Sequence, residues 1–155
     1  MFEAIRSRLD ALLGDLLIEV CHVGSTSVPG LCAKPRIDID AVLKDAAAIP
    51  LGTERMQSAG YTFHGDLYDN GMWSFTTGRA SYGARVNLCA PGTATHEERL
   101  LFRDYLRAHP EAAAEYGSLK RRLAAETDDN WDHYTGGKSP FVAEIVARAR
   151  QRLVR

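Results

Sequence analysis

Residues 37–43 read Ile-Asp-Ile-Asp-Ala-Val-Leu, and this run restricts the fold more than any other part of the chain. Side chains alternate across a β-strand, so Ile37, Ile39 and Ala41 share one face while Asp38, Asp40 and Val42 share the other. The apolar face must be covered. The acidic face lies close to the same core, where unpaired charge is costly, so it needs a metal ion or a basic partner. One mixed-sheet domain with helices covering it is the simplest architecture.

Neighbouring segments supply that sheet. Leu16 to Val23 is a short apolar run with β-branched residues and suits a buried strand. Gly60 to His64, Met72 to Thr76 and Ala84 to Ala90 are three further candidate strands, separated by Gly- and Asn-containing turns. Before them, Phe2, Ile5, Leu9, Leu12 and Leu13 recur at helical spacing and predict an amphipathic helix ending at Gly14. A second helix is expected over Asp45 to Ala59, interrupted near Pro50 to Gly52. The order of the strands, parallel or antiparallel, is not encoded locally.

The last third of the chain is helical in character. Thr95 with Glu98 fits a capping box and opens a helix that should stop before Pro110. Pro110 suits the first turn of the next helix, which continues through Tyr116, Leu119 and Leu123. After a polar break at Thr127 to Asn130, Ser139-Pro140 repeats the cap-then-proline signature ahead of Phe141, Ile145 and Val146. No repeat or linker divides the 155 residues, so one domain over 1–155 is expected.

Composition narrows the partners. Lys and Arg number 19 against 20 Asp and Glu, a balance that disfavours nucleic acid or an anionic membrane as the main ligand. No apolar run approaches the roughly 18 residues of a membrane span. Charged residues interrupt the N-terminal apolar positions, unlike a signal peptide. A cytoplasmic protein is the resulting expectation. Cys21, Cys32 and Cys89 form no close-spaced pair, so they read as reduced, mostly buried thiols.

The loop feeding the acidic strand, His22-Val-Gly-Ser-Thr-Ser-Val-Pro-Gly-Leu31, leaves its strand through Gly24 and Ser25. Little side-chain bulk there blocks a phosphate from backbone N–H groups, and Ser25 and Thr26 add hydroxyls. Asp38 and Asp40, two apart on a strand, stand where both can ligate one Mg²⁺ or bridge two. Lys34 and Arg36 are placed to offset phosphate charge. Each feature also has a plain structural reading. Gly-Ser is a common turn, and a salt bridge from Arg36 or Lys34 would satisfy the aspartates without any metal. His22 reads as a packed strand-end residue first and a ligand second. Trp73 and Trp131 read as packing residues, because no basic aromatic stripe accompanies them.

These words, His22 to Leu31 with Lys34-Pro35 and Ile37-Asp-Ile-Asp40, resemble the GrpB family. Asn87-Leu88, Phe102 to Arg107, His109-Pro-Glu111, Tyr116, Leu119-Lys120, Tyr134, Lys138-Ser139 and Phe141 continue the resemblance in family order. It implies the nucleotidyltransferase superfamily and its DNA polymerase β-like fold. The fold class is then α/β (α+β): a single mixed β-sheet domain covered by helices, with a helical C-terminal third.

The same resemblance implies that Gly24 and Ser25 hold nucleotide phosphates and that Asp38 and Asp40 are catalytic ligands of Mg²⁺, or of Mn²⁺ in its place. The partners would be a nucleoside triphosphate and a small-molecule acceptor. Arg103, Tyr134 and Lys138 lie in motif words and join His22 and Asn87 as candidate site walls. Two departures stand out. The third carboxylate of the superfamily is absent from Arg85 to Cys89, with Cys89 where relatives carry histidine, and Glu19 or His22 would have to replace it. Arg36 stands where an apolar residue is common. Two functions therefore stay open: a metal-dependent nucleotidyltransferase, and a non-catalytic nucleotide- or phosphate-ligand-binding accessory module of the same fold.

Overall fold

The alternation at residues 37–43 becomes the second strand of a five-stranded mixed sheet in the computed structural model. The structure describes residues 2–31, 36–77, 83–127 and 131–154, excepting the side chains of 124, 127, 131–138 and 154. In chain order the elements are α1 (Phe2–Leu13), β1 (Leu17–Val23), β2 (Arg36–Leu43), α2 (Ile49–Ser58), β3 (Thr62–Gly65), β4 (Trp73–Thr77), β5 (Gly83–Cys89), α3 (Ala94–Ala108), α4 (Pro110–Thr127) and α5 (Trp131–Val154). The sheet order is β1-β2-β5-β4-β3. Among the described residues the β2–β5 pair alone is parallel.

These residues form two compact units, one from 1–27 with 33–99 and one from 28–32 with 100–155. The first holds the sheet. On one sheet face Ile37, Ile39, Ala41, Leu43, Ala84, Val86, Leu88 and Phe75 pack with Ile5, Leu9 and Leu13 of α1 and with Ile49 and Met56 of α2. A bulge between Leu17 and Glu19 re-phases β1. Leu17 thereby reaches the core while Glu19 joins the opposite face, and Ile18 is left 59% exposed. Helix α2 approaches closely because Gly52 faces the sheet: a Cβ there would stand 3.0 Å from Leu43 Cδ1 and 3.2 Å from Leu88 Cδ1.

The second unit is helical. Val28, Leu106, Ala112, Tyr116 and Ile145 form its core, with the Tyr116 ring edge-on to Phe102 and stacked on Phe141.

Three expectations about boundaries change. Pro50 does not interrupt a helix. Asp45 caps a short 3₁₀ turn by accepting from the Ala48 amide, and Pro50 then sits in the first turn of α2, where its missing N–H is not needed. Thr95 lies inside α3 rather than capping it. The Thr93 carbonyl accepts from Glu97 N, so the helix opens two residues earlier. Ser139-Pro140 opens no helix either, since Pro140 lies within α5 at the cost of one backbone hydrogen bond.

Candidate functional site

The sheet face opposite the core is polar by register. Cross-strand partners Cys21, Asp40, Asn87 and Ser74 form one row, and Val23, Asp38, Arg85 and Thr76 form the next. The two aspartates thus share a face, as the alternation predicts.

Asp40 is fully buried and ion-paired. Its Oδ1 accepts from Arg99 Nη1 at 2.8 Å and from Asn87 Nδ2 at 3.3 Å, while Oδ2 meets His96 Nδ1 at 2.8 Å. His96 and Arg99 lie three residues apart, on one face of the first turns of α3, and that spacing turns both toward the same carboxylate. The salt bridge weighed from sequence is therefore present at Asp40, and among the described residues its partners are Arg99 and His96 rather than Arg36. Lys34 lies outside the described residues.

Asp38 has different surroundings. Burial pushes its carboxyl above the usual range, outweighing the opposing pull of Arg99, Arg85 and Arg36. It lies against the Gly24 bend, where a Cβ on Gly24 would stand 2.7 Å from Asp38 Oδ2. Gly24 has φ +76°, and its carbonyl accepts both the amide and the hydroxyl of Ser27, closing a tight turn over Ser25–Ser27. Arg85 donates to Ser74 Oγ at 3.1 Å, and burial together with the neighbouring Arg36 charge lowers its pKa.

A raised carboxyl pKa fixes the sign of a pH effect. The protonated form of Asp38 is favoured in the folded state, so its contribution is most favourable below the unfolded carboxyl value and is lost as pH rises through the folded one. Asp38→Asn is therefore expected to unfold at higher denaturant than the wild type at pH 7. That advantage should vanish below the ordinary aspartate pKa of about 3.9. Chemical denaturation at the two pH values reads both arms, and a loss of stability at pH 7 contradicts the assignment.

Mg²⁺ is the ion implied by the family resemblance, and it requires carboxylate oxygens open to it. The oxygens of Asp40 are engaged by a guanidinium, an amide and an imidazole. As arranged, the residues do not fit an ion shared between Asp38 and Asp40.

The remaining candidates separate. Asn87 lines the site as Asp40's donor. His22 does not line it: it pairs in register with Ile39, on the core-facing side, stacks on Phe2 with ring centroids 4.8 Å apart, and bonds Thr26 Oγ1 through Nε2 at 2.9 Å. Of the two proposed replacements for the third carboxylate, only Glu19 is on the acidic face. Cys89 is buried beside Val42 and Met72, and burial pushes its thiol up to about 12, with Asp40 adding to the shift. Arg103 belongs to the helical unit and pairs with Asp104 at 2.9 Å. The side chains of Tyr134 and Lys138 lie outside the described residues. Sequence reasoning missed His96 and Arg99, whose i,i+3 spacing after the Pro91-Gly92 turn was the available signal.

A family profile described as GrpB protein matches residues 1–148. The chain belongs to the GrpB family. It is 35% identical over 150 residues to the UPF0157 protein YqkA of Bacillus subtilis, covering 97% of this chain and 44% of that one. It therefore spans less than half of that relative. The crystal structure of the conserved protein GrpB from Enterococcus faecalis superposes with a TM-score of 0.89 at 30% identity, over 99% of this chain and 93% of that one. The MgGTP-bound Cid1 poly(U) polymerase superposes with a TM-score of 0.53 at 16% identity, over 83% of this chain and 41% of that one. At that identity the likeness is one of fold, and this GrpB chain has a nucleotidyltransferase-like fold.

Proposed function

We propose that this protein binds a nucleotide, or another ligand bearing phosphate, on the polar face of its sheet, and that it does so as a binding module. The observation carrying this reading is the state of the acidic pair. Asp40 is closed off by Arg99 and His96, while Arg36, Arg85 and Arg99 all act on Asp38. Arg36, Arg85 and Arg99 thus set three guanidinium groups around the two aspartates. Guanidinium forks match phosphate oxygens in pairs, so such a face can hold a phosphate without a metal ion.

Calorimetry with ATP, CTP, GTP and UTP, each with Mg²⁺ and with excess chelator, tests the proposal. At least one should bind with chelator present. Arg85→Ala should weaken that binding about 10- to 100-fold, the worth of a hydrogen bond to a charged group. Failure of all four to bind refutes the nucleotide as its ligand.

Metal-dependent nucleotidyl transfer to a small acceptor is the second reading. It is favoured by the contact between Asp38 and the Gly24 bend, the pairing of acid and phosphate turn that such chemistry needs. Binding that requires Mg²⁺, accompanied by pyrophosphate release, would establish it in place of the first.

A further inference from the structure

On the far side of Asp40 from the arginine-rich row, one carboxylate oxygen of Glu19, the Cys21 sulfur and one ring nitrogen of His96 lie within 4.8 Å of one another. We propose that these three side chains form a site for Zn²⁺ or a transition ion of similar softness, distinct from the Mg²⁺ site implied by the fold.

Thiolate, imidazole and carboxylate together are a donor set that Zn²⁺ takes and Mg²⁺ does not. The set has the supporting group such sites use. Asp40, fully buried, holds His96 through Nδ1 at 2.8 Å, and an ion that leaves this bond intact takes Nε2. A carboxylate behind a histidine fixes the ring and strengthens its lone pair. Asp40 then has a use that its closure to Mg²⁺ does not explain. Cys21 and His96 are buried while Glu19 is exposed, so two ligands are fixed and the third is able to close over an ion arriving from solvent. Three protein ligands leave a fourth position open to water or to a ligand atom. Binding converts the Cys21 thiol to thiolate and releases one proton to solvent.

The full chain is titrated with Zn²⁺ alone by calorimetry, and with Co²⁺ while the thiolate-to-metal charge-transfer band is recorded. One ion per chain is expected. The band should be lost in Cys21→Ser and retained in Cys32→Ser and Cys89→Ser. Glu19→Gln alters an exposed side chain and should weaken Zn²⁺ at least about tenfold. A band that survives Cys21→Ser or disappears in either control overturns the site. So does unchanged affinity in Glu19→Gln, or failure to bind Zn²⁺ stoichiometrically. The phosphate proposal is read in chelator and stands or falls separately.

Discussion

Asp40→Ala is expected to lower the free energy of unfolding by about 3–5 kcal/mol, the loss typical when one partner of a buried ion pair is removed. Asp40 is 0% exposed, and its partner His96 is only 6% exposed, so deletion leaves a buried imidazole without its acceptor. Arg99 is 35% exposed and recovers some solvation, which places the result toward the lower end of that range. Asn87 also loses an acceptor. Urea denaturation of the purified variant measures the change. The result separates two roles for the same residue. A carboxylate kept mainly as a metal ligand among like charges is released from repulsion on deletion, and its loss leaves stability intact or improved. A carboxylate that organises the base of α3 takes fold stability with it. A change smaller than about 1 kcal/mol, the worth of an exposed pair, rules out the second role.

The acidic strand was legible because strand periodicity is a property of the chain itself. Ile37 and Ile39 against Asp38 and Asp40 fix which face is buried, whatever lies beside them. The stop before Pro110 and the start at Pro110 were legible for the same reason, since proline constrains its own backbone. Proline at 50 and 140 misled because the same residue suits the first turn of a helix and, at a cost, its interior. What chooses between these is packing that local sequence does not contain: Gly52 against Leu43 and Leu88 in one case, and the burial of Ile145 and Val146 in the other.

The partners of Asp40 were illegible for a stronger reason. His96 and Arg99 are 56 and 59 residues away along the chain, and they meet the carboxylate only once β5 has paired beside β2 and delivered α3. From sequence, Arg36 and Lys34, just ahead of the acidic pair, were the natural choice. A carboxylate chooses its partner by geometry, and Arg36, four residues back on the same strand, stands beside Asp38 rather than at the oxygens of Asp40.

Gly24→Val is expected to cost about 3 kcal/mol, through two effects that one further variant separates. The first is conformational. At φ +76° an L side chain is strained by about 1–2 kcal/mol, and a β-branched one by more. The second is steric, because the new Cβ would lie 2.7 Å from Asp38 Oδ2 and 3.1 Å from Asp38 Cβ. Asp38 cannot withdraw easily, since its backbone is bonded into β2 between β1 and β5. The milder Gly24→Ala allows a double-mutant cycle with Asp38→Ala. Removing the carboxylate leaves the strain untouched but relieves the 2.7 Å contact, so the pair should couple by about 1 kcal/mol in the favourable direction. Strict additivity would mean that the bend demands glycine for its backbone alone. Coupling would mean that it demands glycine because an acid is seated against it.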